Sequence, residues 1–383
     1  MTPFPIEKFS DLPTPFYFYD TALLRKTIDA ARFAADRHGY HIHYAVKANH
    51  NHDILKIIAN TGLGADCVSG GEVSAACDAG IPANKIVFAG VGKTDSEINV
   101  ALDHDIFCFN VESLPELYAI NELAAARGMI ARVAFRVNPN VDAHTHAGMT
   151  TGMAENKFGI AVGDLMTAIG EMNDCDHLKL IGLHFHIGSM ITDMEIFREL
   201  CGRVNEIQDA IAAHGVQLEY LNLGGGLGID YRDPDKNSIA EFGKYFDTFA
   251  ENLKLRPGQT VHFELGRSIV AQMGTLISRV TYVKHGATKK FVILDAGMND
   301  LVRPAMYGSY HKIENISREN DAPDGIFDVV GPICESSDVF QKDAALPTDT
   351  ARRDLIAIRS AGAYGRVMAS NYNLRDFAIE YLF

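Results

Sequence analysis

A lysine stands where an apolar strand should simply end. The tract His41-Ile42-His43-Tyr44-Ala45-Val46 reads as a strand, and Lys47, Ala48 and Asn49 follow it directly. An amine on a packed, partly desolvated strand end has its ammonium form disfavoured, so it is available as a nucleophile that condenses with a carbonyl. Other chemistry-bearing residues close other β-like runs in the same way. His186, Gly188 and Ser189 close or follow LIGLHFH, Gly224, Gly225 and Gly226 follow LEYLNL, and Glu264, Gly266 and Arg267 close the run that begins TVHF. Backbone N–H groups in a glycine run can approach a phosphate closely. A carboxylate and an imidazole can fix or stack on a bound heterocycle. Polar, glycine-rich loops are also what any surface connection looks like, so the concentration of Lys, His, Glu and Arg at strand ends carries the argument.

The elements that must position these residues are eight β-rich runs: 41 to 46, 64 to 68, 85 to 90, 106 to 110, 132 to 138, 180 to 186, 218 to 223 and 260 to 265. Helical patterns with apolar residues three and four apart lie between most of them, among them 113 to 128 and 194 to 215, the latter stopped by Gly215. Each parallel crossover needs a helix, so this alternation predicts a (β/α)8 TIM barrel, with its active site at the C-terminal strand ends. After about residue 270 the rhythm changes to period-two runs such as GTLISRVTYVKH, KKFVILDAG, FDVVGPIC and DLIAIRSAG. The expected division is an α/β barrel over 25–270 and a β-rich domain from 1–24 plus 271–383, with the opening LPTPFYFYD as a strand that joins the second domain.

Composition removes several classes. A net charge of −14 with no Lys/Arg run argues against a nucleic-acid or anionic-membrane surface, so an anionic ligand needs a local site. The opening MTPFPIEKFS has no apolar signal core, and no stretch reaches the ~18 apolar residues of a membrane span, so a cytoplasmic protein is expected. The six cysteines form no CxxC pair, which fits reduced thiols.

The triple glycine after the seventh strand and the glycine after the eighth fall where barrels commonly build phosphate sites. A nucleophilic lysine, a stacking imidazole, a carboxylate for a ring nitrogen and a phosphate cradle together meet the needs of one cofactor, pyridoxal 5′-phosphate. YAVKAN, GADCVSGGE, HFHIGS, GGGLGIDY, ELGR, DAGMNDLVRPAMYGSYH, GPICESSD and GAYGRVMASNYN resemble the barrel-fold, alanine-racemase-like pyridoxal phosphate decarboxylases over essentially the whole chain. Most closely they resemble the branch acting on meso-2,6-diaminopimelate, which releases L-lysine and carbon dioxide in the last step of lysine biosynthesis. By that resemblance Lys47 is the Schiff-base lysine and His186 the ring-stacking residue. Ser189, Gly224, Gly225, Gly226 and the Gly266-Arg267 turn form the phosphate cradle, Glu264 partners the pyridine nitrogen, and Tyr372 approaches cofactor and substrate. Arg267 and Arg303 are planar forks suited to the carboxylate at the unreacted end of the substrate, Tyr307 adds a hydroxyl, and Glu335 pairs with the distal ammonium. Cys334 is the thiol that returns a proton to the α-carbon. In such enzymes Cys334 and Glu335 reach the partner's cofactor, which implies a homodimer with shared sites.

The chain departs from the family pattern in three places. ELGR lacks the proline of the usual EPGR, Met190 stands where glutamine is common, and the tail after Asn373 reads LRDFAIEYLF without a basic-proline continuation. Rival readings are a decarboxylase of another basic acid (ornithine, arginine, carboxynorspermidine), a binding relative without catalysis, and a metal-dependent barrel hydrolase built on the His-x-His pairs 41/43, 50/52, 144/146 and 184/186. Glu264 stands where that last reading needs an aspartate ligand, so no metal is expected. The long segment 143 to 159 is a candidate loop to close over substrate.

Overall fold

The computed structural model describes residues 4–142, 157–318 and 324–383. Two compact units emerge, one of Ile28–Gly228 with Glu241–Gly266, the other of the chain up to Thr27, Ile229–Ala240 and Arg267–Phe383. Residues 229–240, which the sequence reading left inside the barrel, thus travel with the second unit.

The first unit is a closed parallel barrel of eight strands: His41–Ala45, Gly64–Cys67, Ile86–Phe88, Cys108–Val111, Ala131–Asn138, Leu178–His184, Tyr220–Asn222 and Thr260–Leu265. Closure comes from pairing of the last with the first, with Glu264 opposite His43. All eight expected strands are present, with ends shifted by one or two residues. Two shifts matter: the first strand stops at Ala45, so Lys47 rides on the short 3₁₀ turn Val46–Ala48, and the sixth stops at His184, so His186 lies in the loop beyond.

Side-chain capping fixes where several strands hand over to helices. Asn51 accepts N–H bonds from Asp53 and Ile54, Ser69 from Glu72, and Thr94 with Glu97 closes a reciprocal capping box. Each cap satisfies helix-start donors that would otherwise be orphaned, and pins the loop that leaves the barrel rim.

Inside the barrel the two-residue period sorts chemistry into layers. Val87, Cys108, Ala134, Ile181 and Tyr220 form an apolar cluster. Two positions further along the fourth and seventh strands, Asn110 and Asn222 are buried and both donate to the buried Glu264 of the eighth.

Near the N-terminal strand ends, a second cavity of about 420 Å³ is lined by Tyr40, His41, His43, Gly64, Lys85, Phe107 and His262, among others. His43 Nδ1 faces the Lys85 carbonyl at 3.0 Å, His43 Nε2 faces His262 Nδ1 at 2.9 Å, and His262 Nε2 lies 3.0 Å from Thr260 Oγ1. One set of neutral tautomers satisfies the chain: Thr260 donates to His262, His262 to His43, and His43 to the carbonyl. Burial pushes His43 down to about 4 and His262 to about 2, the rings also repelling one another's charge. Their folded pKa values lie below the ordinary value of about 6.5, so the unfolded chain binds protons that the folded chain refuses. Stability is therefore complete above about pH 6.5 and is lost as pH falls toward 4, by about 1.4 kcal/mol per pH unit for each imidazole. Urea denaturation at pH 7.5, 6.0 and 5.0 reads this directly, and a flat unfolding free energy would dismiss it.

The second unit is built on the twelve-residue strand Gly274–His285, which pairs antiparallel with Phe16–Tyr19, Leu355–Ile358 and Lys290–Leu294. Phe16–Tyr19 also runs parallel to Ile379–Leu382, so the opening strand does belong to this β-rich unit. Phe9, Phe16, Phe18, Ile277, Leu355 and Ala357 form its core. Among the described residues no helix is long and apolar enough to cross a membrane.

Candidate active site

Lys47, His186 and Glu264 line one cavity of about 420 Å³ in the barrel unit, together with Asp66, Arg136, His184 and the Gly90–Lys93 loop. Lys47 does not stand there as an isolated, desolvated amine, as the sequence suggested. Its Nζ is ion-paired with Asp66, a fully buried carboxylate from the second strand. Burial, and then the negative charge of Glu264, raise Asp66 to about 6 even with the lysine alongside. A carboxylate partner favours the ammonium, so the amine becomes reactive once its proton passes to a nearby base such as Asp66.

Glu264 is 6% exposed and surrounded by donors. Its Oε2 accepts from His184 Nε2 at 2.9 Å, and its Oε1 from Asn222 at 2.8 Å and Asn110 at 3.3 Å. Burial alone would push its pKa up, but His184 and Lys47 hold it far below the usual carboxylate range. The group is a fixed anion.

His186 takes the opposite state. Its Nδ1 accepts from the Gly225 N–H at 3.2 Å, and burial, reinforced by Arg136 and Lys47, lowers it to about 3. A neutral imidazole presents a flat face that does not repel a cationic heterocycle.

The glycines are dictated by space. A Cβ at Gly225 would lie 2.0 Å from the Glu264 carbonyl oxygen, and one at Gly224 2.3 Å from that of Phe185, where φ is also +67°. The backbone of this turn thus lies against Phe185 and Glu264, with the Gly224 N–H donating to Asn222 Oδ1 at 2.9 Å and the Gly225 N–H to His186. Ser189 lies in the loop after His186, and the next residue, Met190, holds a left-handed φ of 71°. The rim is braced by Arg136, which donates to Glu112 at 2.8 Å, while Glu112 accepts the N–H groups of Gly90 and Gly159.

The remaining predicted residues belong to the β-rich unit and fall into two groups. Arg267 and Arg303 are both buried and share Tyr231: Arg267 Nη1 donates to its hydroxyl at 2.8 Å, and the Arg303 guanidinium lies 5.8 Å from its ring centre. Tyr307 is 5.9 Å from Arg303 in the same sense. The second group is exposed. Tyr372 donates to Glu335 at 2.6 Å, and Cys334 N–H donates to the Asn373 side chain at 3.2 Å. Cys334 is exposed and Cys77 partly exposed, whereas Cys67, Cys108, Cys175 and Cys201 are buried. Residues 143–156 of the candidate closing loop, with the 144/146 histidine pair among them, lie outside the described residues.

A parallel barrel whose strand ends carry a lysine, a neutral imidazole, a fixed carboxylate and a glycine turn defines a barrel-type pyridoxal phosphate enzyme. The glycine turn, which admits no Cβ and meets the cavity residue His186 through the Gly225 N–H, and the buried oxygen Asp66 Oδ1 of the cavity wall, with no hydrogen-bond partner among the described residues, fit that cofactor. Residues 22–271 match the family model described as pyridoxal-dependent decarboxylase, pyridoxal binding domain. The diaminopimelate decarboxylase of Bacteroides thetaiotaomicron is 59% identical over 99% of this chain and 97% of its own. The structure of Helicobacter pylori diaminopimelate decarboxylase complexed with L-lysine aligns with a TM-score of 0.92 at 40% identity, over 99% of this chain and 93% of that one. A lysine/ornithine decarboxylase of Vibrio vulnificus, 21% identical with a TM-score of 0.85 over 99% of this chain and 97% of its own, shares the fold. The chain belongs to the pyridoxal-dependent decarboxylase family, in its diaminopimelate decarboxylase branch, and its cofactor is pyridoxal 5′-phosphate.

In the barrel unit Asp66, Asn110 and Asn222 escaped the sequence reading and His184 entered it only in a metal pair, and in the β-rich unit Tyr231 escaped it. The first four are polar residues near the C-terminal ends of strands, and period two gives them the inward face.

Proposed function

We propose that this chain converts meso-2,6-diaminopimelate to L-lysine and carbon dioxide, as a cytoplasmic homodimer with shared active sites. The observation that carries the substrate is the pair of buried guanidiniums, Arg267 and Arg303, in one aromatic surround. A decarboxylase of lysine or ornithine removes the only carboxylate its substrate has, and would have no use for two planar carboxylate-reading forks.

When bound, the cofactor supplies an electron sink for the bond that breaks. Lys47 holds its aldehyde end and exchanges protons with Asp66. The Gly224–Gly226 turn, where a side chain would not fit, would cradle the phosphate together with Ser189 and the Gly266-Arg267 turn. His186 covers one ring face as a neutral imidazole, and Glu264 keeps the ring nitrogen protonated by charge. Arg267, Arg303 and Tyr307 bind the carboxylate of the unreacted end, and Glu335 with Tyr372 its ammonium. Cys334 returns a proton to the α-carbon. Exposure of Cys334, Glu335 and Tyr372, with Leu374 beside them 92% exposed, supports their use by a partner subunit.

Carbon dioxide release from the meso, LL and DD isomers, with lysine and ornithine alongside, tests the reading. Turnover is expected with the meso isomer. Turnover confined to lysine or ornithine would replace the substrate, and none with any of the five would remove the activity.

A further inference from the structure

Tyr231 lies on the segment Ile229–Ala240, which leaves the glycine turn and packs within the β-rich unit. It is 8% exposed and touches both arginines. Its hydroxyl accepts from Arg267 Nη1 at 2.8 Å, while its ring lies under Arg303 at 5.8 Å. The Tyr364 ring centre lies 4.8 Å from the Arg267 guanidinium. His311 meets the Tyr231 ring edge-on at 5.0 Å and donates through Nδ1 to the Arg359 carbonyl at 2.9 Å. Its other nitrogen, Nε2, is buried without a hydrogen-bond partner among the described residues, and so is Nε of Arg303.

Two guanidiniums brought together under aromatic rings repel each other, and a flexible arginine would relieve that by swinging toward water. Something must hold each fork in place before an anion arrives. An aromatic face holds position but not rotation, because cation–π attraction is nearly indifferent to spin about the ring normal. A hydroxyl oxygen on one Nη fixes rotation. Burial draws the Arg303 guanidinium below its ordinary pKa, with Arg267 acting in the same direction, as expected of a site that an anion completes. His311 adds no third positive charge, since burial lowers it to about 3.

We infer that Tyr231 is the positioning residue for carboxylate recognition: its hydroxyl orients Arg267, its ring seats Arg303, and the substrate carboxylate at the unreacted end is read by the pair so arranged. This rests on the substrate reading given above and adds to it the residue that sets discrimination for the second carboxylate. Tyr231 does not act on the reacting carbon, so its loss falls on binding.

The test is Tyr231→Phe, which removes one oxygen and keeps ring and volume. In the holoenzyme, KM for meso-diaminopimelate is expected to rise about tenfold with kcat within about twofold, the loss of one hydrogen bond to a charged group. Binding of L-lysine, which keeps the carboxylate in question, should weaken by the same factor. Binding of cadaverine, the same chain without it, should not change. Equal weakening of both ligands, unchanged affinity for both, or a variant that no longer folds would each overturn the proposal, the last by showing a structural role instead. Wild-type turnover of meso-diaminopimelate, measured in parallel, reports separately on the substrate reading.

Discussion

Replacing Lys47 by alanine is expected to lower turnover by at least about a thousandfold, since the same amine holds the cofactor and moves protons. It should also abolish borohydride-fixable cofactor on the protein. The fold should survive. Lys47 leaves behind a buried carboxylate, Asp66, but that group already titrates at about 6 with the ammonium beside it. Without the ammonium its pKa rises further, and at neutral pH it takes up a proton and so avoids standing as an unpaired buried charge. Lys47→Arg separates charge from chemistry. It keeps a cation for Asp66, cannot condense with an aldehyde, and should be as inactive as alanine with wild-type thermal stability. Retained turnover or retained borohydride labelling in either variant would remove Lys47 from the centre of the mechanism.

How this site could be read from sequence depends on which force placed each residue. Lys47, His186, the Gly224–Gly226 turn and Glu264 stand out because each breaks a local rule: a charge, a flat base or a glycine run appears where a strand should simply stop. Barrel architecture follows from the same alternation, since eight runs separated by helical periods leave few other parallel closures. What the strand count misses is the interior. Asp66 sits in GADC and Asn222 in LNL, where one polar residue in a short apolar run looks like ordinary punctuation. Only barrel closure turns them inward, where Asn222 hydrogen-bonds Glu264 and Asp66 pairs with Lys47. Tyr231 was hidden for another reason. Its segment follows a barrel strand in sequence yet packs with the β-rich unit, and nothing in GLGIDY announces that change of allegiance. Nor does the local sequence show that Lys47 has a carboxylate partner, because its pairing with Asp66 spans nineteen residues and joins the turn after the first strand to the second strand.

The interior layer gives Glu264→Gln two separable consequences. The carboxylate accepts from His184, Asn222 and Asn110, all three of them donors. A glutamine that turns its NH₂ toward an asparagine sets donor against donor, and one that turns it toward His184 forces the imidazole proton onto Nδ1, which is buried with no hydrogen-bond partner among the described residues, so either arrangement costs about 1–3 kcal/mol. Urea denaturation of the cofactor-free protein reads that loss without reference to catalysis. In the loaded enzyme the fixed charge for the ring nitrogen is gone, and kcat is expected to fall about a hundredfold or more, the usual size of a lost preorganised electrostatic group. The two effects could be confused if a loosened site simply worked badly. Asp66 distinguishes them. After burial, the negative charge of Glu264 is the largest influence raising Asp66, so neutralising it favours the ionised aspartate and lowers its pKa. The acid limb of the residual pH–rate profile should therefore move to lower pH in Glu264→Gln. Loosening that admits water would also ease ionisation, but it would act equally in Asn222→Ala, which disturbs the same network and keeps the charge. A shift in the glutamine variant alone assigns the effect to charge. The same shift in both would assign it to packing, and would leave Glu264 as a structural member of the barrel interior.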